Sequence, residues 1–152
     1  MDKSYAEYIH DHFDGAGDAV NTWLTGQGLD PLVDWYTGMQ YPPRNDSTPY
    51  AFWHFAPPDL LEQHTELGQV MGFRVGVWVL ICLGAGTSEE LQLKVARYVP
   101  HVVAAVENIN MQQGYNVLCT GWEPAVLADD MPFGIFNAKF TVTGQRARKG
   151  VA

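Results

Sequence analysis

The residues with the clearest potential for metal chemistry are His10, Asp11 and His12. They fall in a predicted helix, where side chains two positions apart point in different directions, so the spacing is poor for holding one metal ion. The remaining histidines have no second ligand at the spacing of known zinc motifs; they are His54, His64 and His101. We therefore expect solvated or semi-buried histidines and no metal site.

Catalytic and cofactor motifs are equally weak. A hydrolase needs a nucleophile, a base and an orienting group, and the chain has no Gly-x-Ser-x-Gly sequence. Residues 84–88, Gly-Ala-Gly-Thr-Ser, open a predicted helix and could in principle hold a phosphate. They lack the lysine of a P-loop and the third glycine of a dinucleotide fingerprint. We predict a plain strand-to-helix turn there, solvated carboxylates at Asp129 and Asp130, no catalytic residues and no cofactor.

Length and composition indicate one globular domain. The chain has 152 residues, of which 47% are hydrophobic and 17% charged, values typical of folded proteins that bury a core. The formal net charge of -8 argues against a broad basic surface for nucleic acid.

The two cysteines, Cys82 and Cys119, lie in apolar runs. Two buried free thiols are expected, with a disulfide between neighbouring strands as the alternative.

Neither membrane insertion nor export is indicated. The first residues lack the apolar core of a signal peptide. The longest apolar stretch, 75–83, is far shorter than a membrane span. An aqueous, cytoplasmic place of synthesis is therefore expected.

The first third of the chain predicts two helices and two strands. Residues 4–7, Ser-Tyr-Ala-Glu, form a capping box that begins the first helix. Gly15 and Gly17 weaken this helix, and Asp18 restarts it as far as Gly26 and Gly28. A strand over 33–40, a proline-rich exposed loop over 41–49 and a short aromatic strand over 50–55 follow.

The rest predicts a long strand, a long helix and two more strands. Apolar residues share one face of a strand from Glu66 to Leu83. Thr87 to Glu90 form a second capping box, from which a helix continues to about Met111 with Pro100 inside it. Strands are predicted over 115–122 and around 136–143, with a loop over 123–132 between them.

This order predicts an α+β fold. The sheet should be mostly antiparallel or mixed, with four to five strands, the long helix packed across one face and an N-terminal helix. The link from the long strand through the helix is long enough to be a crossover. We predict a single α+β domain over 1–144 and a basic C-terminal tail over 145–152.

Charge is unevenly distributed between the two ends of the chain. Residues 1–34 hold seven acids and one base, whereas residues 139–152 hold four bases and no acid. Opposite charges at opposite ends suit head-to-tail contacts between copies. The candidate contact residues are acidic ones near the N-terminus, basic ones near the C-terminus and two aromatic anchors: Asp11, Asp14, Asp18, Arg146, Arg148, Lys149, Trp35 and Trp53.

Aromatic residues make up 12% of the chain and fall mostly in or beside predicted strands. Two interpretations are equally supported: they fill the interface between sheet and helix, or some are anchors at subunit contacts, where Trp and Tyr are favoured. A third hypothesis is a ligand pocket around Trp53, Trp78 and Trp122.

The stretch from Tyr50 to Thr143 contains a distinctive series of elements. An aromatic strand after a proline-rich loop is followed by a long strand ending Val77-Trp78-Val79-Leu80-Ile81 and by a Gly/Thr/Ser turn. Next come a helix interrupted by Tyr98-Val99-Pro100, the pair Gly114-Tyr115 and a final Phe136-x-x-x-Phe140 strand. This series resembles the tail terminator proteins of long-tailed bacteriophages. It covers about two thirds of the chain, and residues 1–49 are longer and more aromatic than the family pattern.

The resemblance implies a structural virion protein and not an enzyme. Tail terminator subunits form a hexameric ring that caps the tail tube and joins it to the head. The implied partners are further copies of the chain and other phage tail and neck proteins, with DNA only passing through the lumen. The implied location is the virion, after synthesis in the cytoplasm of the bacterial host. A neck or head–tail joining protein, a small-ligand-binding α+β domain and a monomeric adaptor are the alternatives.

Overall fold

The computed structural model describes residues 5–38, 48–56, 61–66, 70–109, 115–128 and 133–147. Within these ranges the chain forms three helices and six strands. The predicted α+β class is confirmed, with a mixed sheet, a long helix and an N-terminal helix. Among the described residues, no helix combines the length and the apolar character needed to cross a membrane.

Two short helices begin the fold. Helix α1 spans Tyr5–Asp14 and helix α2 spans Gly17–Gly26. They bury one apolar stripe, with Ile9, Phe13 and Val20 fully buried, as expected for amphipathic helices lying on a core. The break between them falls at Gly15 and Ala16, where the sequence predicted it. The capping residue Ser4 lies outside the described ranges.

The sheet is mixed and its order differs from the chain order. The strands are β1 (Asp34–Thr37), β2 (Tyr50–Phe55), β3 (Leu61–Glu66), β4 (Val70–Gly84), β5 (Asn116–Ala128) and β6 (Phe133–Ala147). The order of hydrogen-bonded neighbours is β1-β2-β4-β6-β5. Strands β1 and β2 are parallel, and the other neighbours in this order are antiparallel. Strands β4 and β5 both pair antiparallel with β6, so they run in the same direction. The predicted crossover through the long helix is therefore confirmed.

Strand β3 was not predicted, because the predicted long strand began at Glu66, the last residue of β3. It pairs with the first half of β4, from Val70 to Val75, whereas β2 pairs with the second half, from Val77 to Cys82. Strands β2 and β3 thus occupy successive stretches of one edge of β4.

Helix α3, Ser88–Glu107, packs on the same face of the sheet as α1 and α2. Thr87 is its N-cap, and its hydroxyl accepts a hydrogen bond from the Glu90 backbone N–H at 3.2 Å. This part of the predicted capping box is confirmed. The helix residues Val99, Val102 and Val106 lie against the sheet with almost no exposed surface.

The opposite face of the sheet carries a second, smaller apolar cluster. Its buried members come from β2, β4 and β6: Tyr50, Phe52, Cys82, Phe133 and Ile135. Trp78 lies on this face too, with the Lys139 Nζ atom 5.1 Å from the centre of its ring. The predicted apolar character of both faces of the long strand is confirmed, and it follows from β4 being central in the sheet.

Three predicted boundaries need correction. Helix α3 ends at Glu107 and not, as predicted, near Met111. Asn108 follows Glu107 in a non-helical C-cap conformation. Strand β5 continues to Ala128 through residues 123–128, which the sequence predicted as loop. Strand β6 continues to Ala147, because residues 145–147 pair with residues 70–72 of β4. The first three residues of the predicted tail therefore belong to the sheet.

Candidate functional site

A groove lies between the α1–α2 junction and strand β1. It has a volume of about 300 Å³. One wall comes from the helices, with Asp14, Asp18 and Asn21, and the other comes from residues 33–35. Because β1 ends the sheet order, the groove lies at an edge of the sheet.

Close contact between Gly17 and Trp35 sets the width of the groove. A Cβ atom on Gly17 would lie 2.8 Å from the Trp35 Cβ atom and 3.0 Å from its Cγ atom. Only a glycine allows α2 to approach β1 this closely. The Trp35 Nε1–H also donates a 2.8 Å hydrogen bond to the Phe13 carbonyl at the end of α1. Both helices are thereby positioned against β1 through one aromatic side chain.

The chain between α2 and β1 is held by polar contacts. Asn21 Nδ2 donates to the Leu32 carbonyl at 3.2 Å, and Asn21 Oδ1 accepts from the Leu32 N–H at 2.8 Å. The Tyr98 hydroxyl of α3 donates to the Asp30 carbonyl at 3.0 Å. Burial raises the pKa of Tyr98, and the nearby charge of Asp30 acts in the same direction. These bonds attach the segment before β1 to two helices, α2 and α3.

The groove is acidic. Asp14, Asp18 and Asp34 all line it, and no Lys or Arg is among its lining residues. Asp14 accepts a hydrogen bond from the Thr37 hydroxyl, and Asp34 accepts one from the Tyr36 hydroxyl at 2.9 Å. Carboxylates in an exposed groove attract basic groups over a range of roughly 8–10 Å at physiological salt.

Three of the predicted contact residues are brought together here. Asp14, Asp18 and Trp35 share the groove, although 17 residues separate Asp18 from Trp35 along the chain. Asp11 is exposed but does not line the groove; its carboxylate lies 3.4 Å from the His10 ring. Asp34 and Asn21 also line the groove, although the sequence did not predict them as members of this site. The acidic excess of residues 1–34 included Asp34, but only folding shows which acids face the groove.

The prediction that Trp53 is a surface anchor is wrong. Its side chain is only 1% exposed, because β2 lies between β1 and β4 and α1 covers this part of the sheet. The Trp53 Nε1–H donates to the Thr37 hydroxyl at 3.1 Å, and its ring packs 5.6 Å from that of Phe13. Trp53 is therefore a core residue and cannot contact a second subunit in this conformation.

One of the three basic candidates, Arg146, lies at the far end of the sheet. Arg146 is in β6, opposite Met71 of β4. Arg148 and Lys149 lie outside the described residues.

The three tryptophans of the ligand-pocket hypothesis do not converge. Trp53 lies under the helices and Trp78 belongs to the opposite face of the sheet. Trp122 lies on β5, two strands away from β4, with its ring centre 6.4 Å from that of Phe136. A pocket enclosed by all three side chains is therefore absent, and this hypothesis is corrected.

The edge formed by β5 carries exposed apolar side chains. Leu118 is 61% exposed and Trp122 is 51% exposed. Part of this edge is satisfied internally, because the Glu107 Oε2 atom at the end of α3 accepts from the Cys119 N–H at 2.9 Å. A carboxylate that accepts a hydrogen bond from an outward-facing backbone N–H takes the place of the carbonyl group that another strand would supply.

The titratable groups considered for chemistry are dispersed. Across the described ranges, no group of three or more His, Cys, Asp or Glu residues is arranged to hold a metal ion. Burial lowers the pKa of His12. The described cysteines are free thiols; burial raises the pKa of Cys82 to about 11 and also raises that of Cys119.

Comparison with models of known protein families finds no match, and comparison with curated protein sequences finds none either.

Proposed function

We propose that the protein is a structural virion subunit similar to phage tail terminators, and that its copies assemble into a ring at the end of the tail tube. The observation that carries the proposal is the acidic groove at the edge strand β1, which contrasts with the basic sequence of residues 146–149. Of these bases, Arg146 lies in β6, opposite Met71 of β4. Two different surfaces on one subunit suit a heterologous contact, which closes into a ring when the rotation permits.

The elements that suggested the family also form the centre of the fold. Strand β4, helix α3 and strand β6 supply most of the larger core cluster. Helix α3 is continuous from Ser88 to Glu107 with Pro100 inside it, so the predicted interruption at Tyr98-Val99-Pro100 is not seen. The support for the resemblance is the central position of β4, α3 and β6.

The charge of the protein also suits a ring around a DNA channel. A net charge of -8 limits attraction to phosphates, which would slow passage of DNA through a lumen. The function proposed for the subunit is therefore mechanical, in that it ends the tail tube and provides the joint to the head or neck.

The test is the mass of the purified particle, measured by sedimentation equilibrium over a wide concentration range. Six copies of the 16.9 kDa chain give about 101 kDa, and electron microscopy should show rings. A second assay follows the joining of tails to heads in extracts that lack the protein. A strictly monomeric protein that does not restore joining would overturn the proposal.

A further inference from the structure

Helix α1 carries one histidine on each flank of its buried stripe. The stripe includes Phe13, which has no exposed surface. On one flank, the His10 ring packs edge-on against Trp53 of β2, with 5.3 Å between the ring centres. On the other flank, the His12 ring stacks on Tyr8 at 6.1 Å. The two histidines therefore occupy different surroundings on one short helix.

The His12 flank connects α1 to the start of β5. The Tyr8 ring contacts the Tyr115 ring as well, with 4.8 Å between the two centres. Tyr115 directly precedes β5 and packs against the larger core cluster. The aromatic contacts of His12 and Tyr8 thus help to hold α1 on the fold.

His12 also has a ring nitrogen that is buried and has no hydrogen-bond partner. This nitrogen is the Nε2 atom. A neutral imidazole leaves one nitrogen without a proton, whereas the charged ring carries a proton on both nitrogens. Protonation would therefore place a charged N–H group at Nε2 with no acceptor, which is costly in a buried position. Burial accordingly lowers the pKa of His12.

The acidic side chains around this flank do not offset a charge on His12. Those of α1 are spaced three or four residues apart and share its exposed face: Glu7, Asp11 and Asp14. Asp18 of α2 lines the groove, and Glu107 at the end of α3 accepts from a backbone N–H of β5. The two tyrosines of the flank are uncharged below about pH 9. Among the described residues, burial is the cause of the lowered pKa of His12 and no charge contributes to it.

We propose that α1 is an acid-sensitive element, and that protonation of His12 promotes its local release from the sheet. In the released helix, water hydrates the charged ring at both nitrogens. Release also opens the groove, because Asp14 at the end of α1 lines it. It frees Trp35, whose Nε1–H donates to the Phe13 carbonyl in the docked helix. The inference does not rest on the proposed ring.

The direction of the pH dependence follows from the two states of the helix. In the released helix, His12 ionises near the ordinary histidine pKa of about 6.5, and in the docked helix its pKa is lower. The docked helix therefore keeps its full stability above about pH 6.5 and loses stability as the pH falls from there to the lower pKa. Within this interval, the released population rises by up to about tenfold per pH unit. Carboxylates titrate near about pH 4, so the measurements end at about pH 5.

Native-state hydrogen exchange of the full chain measures the release. The protection factors of the amides of residues 9–14 should fall by up to about tenfold per pH unit between about pH 6.5 and about pH 5. The indole N–H of Trp35 should lose protection in parallel.

Comparison with α3 distinguishes local release from global unfolding. Protection in α1 should be lower than at Val99 and Val102 of α3, and it should respond less to low concentrations of urea, because a local opening exposes little surface. Equal protection and an equal response to urea in both helices would mean that α1 opens only by global unfolding, and this result would overturn the proposal.

Two single variants separate the two histidines of α1. His12→Phe keeps an aromatic ring against Tyr8 but has neither the buried nitrogen nor a titratable group, so α1 protection should be the same at about pH 6.5 and about pH 5. His10→Gln is the matched control. It removes a 46% exposed histidine of the same helix and should keep the wild-type pH dependence. A pH dependence in His12→Phe as steep as that of wild type would overturn the role of His12.

A titration of the wild-type protein tests the same inference without any variant. The ring Cε1–H signals of the histidines, followed by NMR, should give His12 a lower apparent pKa than the exposed His10. A pKa for His12 equal to or above that of His10 would contradict the cost of charging its buried nitrogen and would overturn the proposal.

Discussion

Replacing Gly17 with alanine should destabilise the protein and alter the groove. The new Cβ atom would lie 2.8 Å from the Trp35 Cβ atom and 3.0 Å from its Cγ atom. These are the innermost side-chain atoms of Trp35, so they cannot move away without shifting β1. The hydrogen bond from Trp35 Nε1 to the Phe13 carbonyl further restricts the ring.

The expected loss is about 1–3 kcal/mol, the usual cost of adding a methyl group to a closely packed site. Alanine favours a helix interior by up to about 1 kcal/mol over glycine, but Gly17 is the first residue of α2, where this gain is smaller. The net effect should therefore be about 1–2 kcal/mol of lost stability, equivalent to a fall of roughly 2–8 °C in Tm for a domain of this size.

Gly26→Ala provides the matched control. Gly26 is the last residue of the same helix, and a Cβ atom there would meet nothing within 4 Å. This variant should be neutral or gain up to about 1 kcal/mol. Urea unfolding followed by circular dichroism measures both variants. Equal stability of Gly17→Ala and Gly26→Ala would refute the close approach of α2 to β1.

Three further predictions concern stability. Val102→Asp should prevent folding or cost more than about 4 kcal/mol, because it places an unpaired carboxylate in the core. Leu93→Asp, at a 51% exposed position of α3, should cost under about 1 kcal/mol. Soluble yield and thermal melts distinguish the two variants. Asn21→Ala should cost about 1–3 kcal/mol by leaving the Leu32 N–H and carbonyl unpaired, and urea unfolding in which it matches wild type would contradict this. Burial raises the pKa of Cys82 to about 11, so the thiol ionises at a lower pH in the unfolded chain than in the folded protein. The free energy of unfolding should therefore fall between about pH 8.5 and pH 11, by at most about 3 kcal/mol. This part of the fall should be missing in Cys82→Ala.

Local sequence patterns determined most of the elements by themselves. Strand β2 and the start of α3 lie where alternation, helical spacing and capping residues predicted them. These patterns are reliable because they follow from the geometry of a single element and need no knowledge of its neighbours. The fold class followed from the order of the elements.

Only the tertiary structure decided which residues share a surface. Composition and charge suggested Trp53 as an anchor, but the pairing of β2 between β1 and β4 buries it. The same pairing places β1 at the end of the described strand order and brings Asp34 to the groove beside Asp14 and Asp18. Strand order depends on contacts between residues distant in sequence, and no local pattern encodes those contacts. The sequence alone therefore indicated an acidic N-terminal region and a basic C-terminus, and folding placed the acidic groove beside the edge strand β1.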